Sequence, residues 1–209
     1  MIPVTILATH MIPNASPALC SSLGVSSGTP ALGLITTDCD DATYIALDAA
    51  TKASAVTVSY ARSLYAGAGN ATTPYAGEVI GILAAASPAA LRSGMEAACA
   101  ALERVGFSEI GGVPCLAHTV SSCGSYLSGE AGVPKGSALA YLIAPPLESI
   151  VGLDAALKAS DVRLCKLYAP PSETNFGGGL LTGTRSACDA ACDAFLAAVQ
   201  KIAMSPIER

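Results

Sequence analysis

The sequence predicts an α+β fold built from two similar units in tandem, and three observations carry that prediction. Residues 47–56 read LDAATKASAV and residues 153–162 read LDAALKASDV, so eight of ten positions recur at a spacing of 106 in a chain of 209. A period of half the chain means two copies of one compact unit, not a stack of many short repeats. The flanks recur in character: ALGLI (31–35) and ALAYLI (138–143) precede the copies, while GEVIGIL (77–83) and GGLLTG (178–183) follow them. Both halves also alternate β-rich apolar segments with Ala-rich segments of helical periodicity. Each half then holds an antiparallel sheet of about four strands flanked by two or three helices.

Taken in order, residues 4–10 alternate weakly and are β-rich, which predicts a strand. Residues 14–23 predict a short helix with Asn14 or Ser16 as its cap and Pro17 near its first turn. Segment 31–37 is a buried strand. Segment 40–52 is a helix with Tyr44, Leu47 and Thr51 on one face and Asp40 or Asp41 at its start, where the helix dipole favours an acid. VTVSYARS (56–63) alternates cleanly and is a strand. LYAGAGNATTPY (64–75) is a Gly- and Thr-rich loop, 78–84 is a strand, and Ser87 caps a helix over 88–105.

The second half repeats this order: a strand at 115–121, a short helix at 124–131 and a strand at 139–144. A helix over 147–160 follows the Pro145-Pro146 break. Then come a strand at 162–168, a loop at 170–179, a strand at 180–182 and a long helix over 184–204. A Gly-containing connector near 107–113 separates the halves. The expected domains are therefore 1–106 and 107–209, with sequential hairpin-like strand pairing in each.

Composition narrows the function. The chain is 52% hydrophobic and 13% charged, with mean hydropathy +0.52. Its apolar runs stop far short of the roughly 20 residues that span a bilayer, so no membrane partner is expected. Apolarity of this kind implies surface covered by neighbouring subunits. A net charge of −5, a pI near 4.9 and the absence of any five-residue basic run argue against nucleic acid. The start MIPVTILATH lacks the pattern of a secretory signal, and eight cysteines without a CxxC pair read as small buried hydrophobes of a cytosolic protein.

Several constellations bear on chemistry. Asp38, Asp40 and Asp41 lie in the strand-to-helix turn TTDCDD. They serve either as helix capping and dipole partners or as the acidic lining of a passage attractive to small cations. Cys115 and His118 point to opposite faces of one strand, and with Cys123 they lack a fourth ligand, so no metal is expected. Cys188 and Cys192, four apart, read as the buried stripe of a helix. With two histidines, His10 and His118, and no nucleophile elbow, no catalytic residue is expected. The glycines Gly177, Gly178 and Gly179 lack the following Lys and Ser/Thr of a phosphate loop, and no cofactor is expected. Lys52 and Lys158 hold equivalent places in the two copies and are expected at subunit or tile edges.

The runs LGLITTDCDDATYIALDAATK (32–52), RSLYAGAG (62–69), AGEVIGIL (76–83), AYLIAPPLE (140–148), APPSETNF (169–176) and LLTGTRSACDAACDAF (180–195) resemble the EutL family. These are the tandem-domain shell proteins of ethanolamine-utilisation bacterial microcompartments. The resemblance covers nearly the whole chain. It implies two circularly permuted microcompartment domains and a homotrimer that mimics a hexagonal tile. It also implies assembly with other shell proteins, location in the microcompartment shell within the cytoplasm, and no enzymatic activity.

It further implies a gated central pore for small polar metabolites or a cofactor, plus smaller pores within each subunit. The loops 64–75 and 170–179 are ordinary turns on composition. By resemblance they line the central pore through Tyr65, Gly67, Gly69, Asn70, Glu173, Thr174, Asn175, Phe176 and Gly177, with Gly67, Gly69 and the 177–179 glycines as hinges. Asp40, Asp41 and Glu78 resemble the lining of the small pore, and Phe107 stands where the family has an aromatic in the connector. The connector here is shorter and lacks the family's neighbouring Trp. The alternative function is a trimeric small-ligand sensor or binding protein.

Overall fold

A computed structural model describes residues 1–26, 28–63, 79–170 and 175–207. They form two units. One comprises Pro3–Gly106 with Gly124–Leu127, and the other Met1–Ile2, Phe107–Cys123 and Ser128–Arg209.

The first unit runs β1 (Ile6–Ile12), α1 (Pro17–Ser22), β2 (Ala31–Thr37), α2 (Asp40–Ala53), β3 (Val56–Ser63), β4 (Val79–Ala85) and α3 (Pro88–Leu102). Its antiparallel sheet has the order β1-β2-β4-β3. The expected sequential pairing therefore holds for β1–β2 and β3–β4 but not at the centre, where β4 enters between β2 and β3. The reason is the helix α2. A strand that leaves through a helical crossover returns without pairing its predecessor, which leaves a slot for β4.

Both faces of this sheet are covered, which is why β2 and β4 read as continuous apolar runs rather than alternating ones. Leu32, Ile82 and Ala84 cluster on one face with Cys20 of α1 and with Leu23, which follows the helix as its C-cap. On the other, a Cβ at Gly33 would lie 2.7 Å from Met95 Sδ and one at Gly81 2.8 Å from Leu47 Cδ1, so these glycines set how closely α3 and α2 approach the strands. Ser87 caps α3 by accepting the Ala90 amide, as the sequence predicts, and Ser16 rather than Asn14 caps α1.

The second unit runs β5 (Ser108–Ile110), β6 (Val113–Val120), α4 (Ser125–Ala131, whose residues up to Leu127 group with the first unit), β7 (Ala138–Ala144), α5 (Pro146–Ala159), β8 (Val162–Tyr168), β9 (Gly177–Gly183) and α6 (Arg185–Met204). Its sheet has five strands, in the order β5-β6-β7-β9-β8. The fifth corrects the expected connector over 107–113. Ser108–Ile110 pairs antiparallel with Val113–Cys115 through a two-residue turn whose Gly111 and Gly112 have φ of 59° and 83°. Positive φ at both central residues suits the twist of a hairpin, and Gly-Gly supplies it freely. A three-residue strand carries too little alternation to be read from sequence.

Two more boundaries differ. Pro146 is the first helical residue of α5, where its missing N–H leaves no bond unmade, so the helix starts inside the Pro-Pro pair. The loop expected over 170–179 ends before Gly177, because Gly177, Gly178 and Gly179 pair with Ala144, Ile143 and Leu142 of β7.

The duplication is visible in backbone detail. The bulge between Val58 and Tyr60 on β3 recurs between Leu164 and Lys166 on β8. The turn closing α1, with Val25 N–H donating to Cys20 O at 2.9 Å, recurs after α4 as Val133 N–H to Ser128 O at 3.1 Å. Gly24 and Gly132, at φ 66° and 62°, hold the same place in those turns. Hence β1, α1, β2, α2, β3, β4 and α3 correspond to β6, α4, β7, α5, β8, β9 and α6. The core of the second unit gathers Leu142, Leu153, Leu181, Phe195 and Val199 with the sulfurs of Cys115, Cys188 and Cys192, and the expected buried stripe on α6 is present.

Candidate functional site

The turn from β2 into α2 positions the acidic cluster. Thr37 ends the strand, and its hydroxyl accepts the Cys39 amide at 3.0 Å and meets the Thr43 hydroxyl at 2.7 Å, tying the strand end to the helix's first turn. Cys39 rather than an aspartate occupies the cap position, with Asp40 and Asp41 as the first two helical residues, where the dipole stabilises negative charge. Asp38 faces the other way, and its carboxylate accepts the Thr5 amide at 2.8 Å.

Asp40 and Asp41 are both buried. Asp40 accepts the Asp41 amide at 2.8 Å and the hydroxyl of Ser63, the last residue of β3. That hydroxyl lies 2.7 Å from the Tyr44 phenol, so the acid, the serine and the tyrosine form one polar chain. Burial holds the Asp40 carboxyl above its ordinary value of 3.8, with the Ser63 hydroxyl and the Asp41 amide pulling the other way. The same burial, reinforced by the three aspartates, pushes the Cys39 thiol up to about 12. The cluster is thus an internally hydrogen-bonded acidic site in which burial disfavours the charged form of Asp40.

The remaining sequence-predicted residues fall elsewhere. Tyr65, Gly67, Gly69, Asn70, Glu78, Glu173 and Thr174 lie outside the described residues. Asn175 is exposed at φ 65°, a left-handed conformation that asparagine tolerates better than most residues. Phe176 packs edge-on against Phe107, ring centroids 5.5 Å apart at 68°. The resemblance divides these two rings between different pores, but the structure joins them as partners. Gly177 is buried at the start of β9, where an added Cβ would lie 2.7 Å from Ser149 Oγ.

Gly177, Gly178 and Gly179, expected as hinges, lie in the paired strand β9. A Cβ on Gly178 would fall 1.9 Å from the Leu142 carbonyl oxygen and one on Gly179 2.6 Å from that of Lys166, so these residues are small because neighbouring strands crowd them. Among the described residues, no group of three His, Cys, Asp or Glu is placed to hold a metal. Cys115 is buried in the core and its thiol is pushed up to about 11 by desolvation. Lys52 and Lys158 pair with Asp48 at 3.4 Å and Asp154 at 2.6 Å, one turn back on their helices.

Sequence reasoning missed Ser63 and Tyr44 as members of the acidic site. Tyr44 sits four residues after Asp40, a helical spacing that places the two on one face. Ser63, 23 residues from Asp40, has no local signal.

A family model described as the BMC domain matches residues 31–111, beginning at β2. The bacterial microcompartment shell protein EutL of Clostridium perfringens (strain 13) is 55% identical over 211 residues, spanning 99% of this chain and 97% of the relative. The EutL shell protein of Salmonella typhimurium (strain LT2) is 45% identical over 213 residues, spanning 100% and 97%. The crystal structure of the ethanolamine utilization protein EutL from Leptotrichia buccalis matches with a TM-score of 0.96 at 50% identity, covering 100% of this chain and 98% of that one. With identity at this level across the full length, and with the same duplicated fold, the chain belongs to the EutL family of bacterial microcompartment shell proteins.

Proposed function

We propose that three copies of this chain form a pseudohexameric tile whose central pore passes small polar metabolites or a cofactor, and that the tiles pack with other shell proteins around an ethanolamine-processing compartment. The chain is a structural shell component rather than an enzyme. The observation that carries the trimer is the repeat itself. Two units alike down to their bulges, joined in one chain, supply three chains with six similar units to arrange in a ring.

The residues proposed for the central pore are Tyr65, Gly67, Gly69, Asn70, Glu173, Thr174, Asn175, Phe176 and Gly177. They follow repeat-equivalent strands, β3 and β8, which supports their meeting at one axis. If the pore gates, its open and closed arrangements differ by only a few kcal/mol, since both must be populated. Movement then belongs to the segments before Gly177. The small pore is proposed at Asp40, Asp41, Glu78 and Phe107, where a pair of neighbouring acids supports attraction of small cations such as a protonated amine.

Sedimentation velocity tests the assembly: a trimer is expected, and a monomer at tens of micromolar overturns the tile. Single-channel recording in a planar bilayer tests the lining. Tyr65→Ala with Phe176→Ala should raise conductance at least twofold, and unchanged conductance removes these rings from the opening.

A further inference from the structure

The edge strands β3 and β8, which lead toward the proposed pore segments, carry cations and no acid. Arg62 stands on β3, and Arg163 and Lys166 stand on β8, in a chain whose net charge is −5. Each strand also sets a cation against an aromatic ring. The Arg62 guanidinium lies 5.7 Å from the centre of the Tyr60 ring, and the Lys166 ammonium lies 5.3 Å from that of Tyr168. Residues two apart on a strand share a face, which brings each pair together. Tyr60 and Arg62 correspond to Lys166 and Tyr168 through the shared bulge, so the repeat keeps the pairing and reverses its order.

The copies differ in what else reaches the pair. On β8, Glu130 of α4 forms an ion pair with Lys166, and the Tyr168 ring lies 6.1 Å from that of Tyr141. The residues in those places beside β3 are Ser22, whose hydroxyl donates to Ala18 O of its own helix at 3.0 Å, and Leu34. Neither offers a charge to Arg62. Arg62 is exposed and Tyr60 is 38% exposed. Among the described residues no carboxylate pairs with Arg62, and its hydrogen bond is to Ala61 O at 3.3 Å. A guanidinium holds several N–H donors in one plane, so most of its fork stays open.

Resting on the reading that β3 leads into the central pore, we propose that Tyr60 and Arg62 bind anions that carry a planar ring, the class to which nucleotides belong, with one site per chain at the stem of the pore. A planar base stacks on the face of a tyrosine or a guanidinium. The open fork of Arg62 matches two oxygens of a phosphate. Together they select for solutes that carry both groups: an inorganic anion lacks the stacking, and a neutral ring lacks the ion pair. The chain as a whole is acidic and repels anions, so the cation raises their concentration only where it stands. The β8 pair is the muted counterpart, because Glu130 offsets the charge of Lys166.

Equilibrium dialysis of the full-length protein against adenosine monophosphate, adenosine and inorganic phosphate tests the site. Adenosine monophosphate should bind about tenfold tighter than either of the others, and more weakly as salt rises. Arg62→Gln should weaken it about tenfold and Tyr60→Leu about fivefold. No binding, equal affinity for the three probes, or affinity unchanged in both variants overturns the proposal. Both side chains are exposed, so the variants should keep the fold, with melting of the circular dichroism signal as the check. Should either fail to fold, photolabelling of the unaltered protein with azidoadenosine monophosphate decides: label within 57–63 is expected, and label only elsewhere overturns the site. Binding needs a single chain. A monomer that binds adenosine monophosphate removes the tile and keeps the site, whereas a trimer that does not bind it removes the site and keeps the tile. In planar-bilayer recordings of the trimer, Arg62→Gln should lower the permeability of anions relative to cations about twofold. An unchanged ratio overturns the placement at the pore.

Discussion

Asp48 and Asp154 occupy the same place in the repeated motif and carry different burdens, which makes them a matched pair of tests. Asp48 is fully buried and receives the Gly124 and Leu127 amides at the start of α4, whereas the Asp154 side chain is 61% exposed and pairs with Lys158. Asp48→Ala leaves those amides without an acceptor and should cost about 2–4 kcal/mol in urea denaturation. Asp154→Ala, which removes a solvated pair, should change stability by less than about 0.5 kcal/mol. Asp40 makes a pH prediction. Its folded pKa lies above its unfolded one, so between the two values the native state holds more protons, and this residue's contribution to stability declines as pH rises. Measured against Asp40→Asn, which does not titrate, the unaltered protein should lose relative stability as pH climbs from below 3.8 through the carboxylate range. A gain would show that the hydrogen bonds, not burial, dominate. Cys39, with its thiol near 12, has almost no thiolate at pH 8. Iodoacetamide should therefore spare it in the native protein and label it readily after unfolding.

At the scale of elements, helix termini announce themselves because their chemistry is local. Ser16, Ser87 and Thr184 each accept the amide three residues on, and each precedes its helix by one residue. Ser87→Ala should thus destabilise the protein by about 1 kcal/mol. Strand centres are different. The glycines at the head of β9 look like loop residues, yet Gly178 and Gly179 are small because β7 and β8 leave no room beside them. Gly178→Ala is expected to cost about 3 kcal/mol or more, or to prevent folding, since the contact is with a backbone carbonyl that cannot swing aside. A variant that folded normally and altered only pore conductance would restore the hinge.

At the scale of the molecule, the proposed trimer would tie stability to assembly by covering apolar side chains that one chain leaves exposed, among them Leu147, Ile150 and Val151 of α5. If subunits associate only when folded, mass action raises the melting temperature with concentration. For a trimer of chains this size, a tenfold increase should raise it by about 2–4 °C. A melting temperature independent of concentration, over a range where sedimentation shows dissociation, would mean that assembly contributes little to the fold.

The duplication, the α+β class, the strand and helix positions and the family were legible from residue order alone, because periodicity, caps and a repeated ten-residue motif are properties of neighbours along the chain. Strands β2, β3 and β8 fall where the sequence predicts them to the residue. Only the tertiary structure decided that β4 enters between β2 and β3, that β5 adds a fifth strand, and that Ser63 completes the Asp40 site from 23 residues away. It also decided that one copy of LDAA buries its aspartate while the other leaves it in water. The motif is nearly identical in both places, and burial is set by whether another segment lies across the helix. That depends on which distant residues the fold brings there, and no local pattern records it.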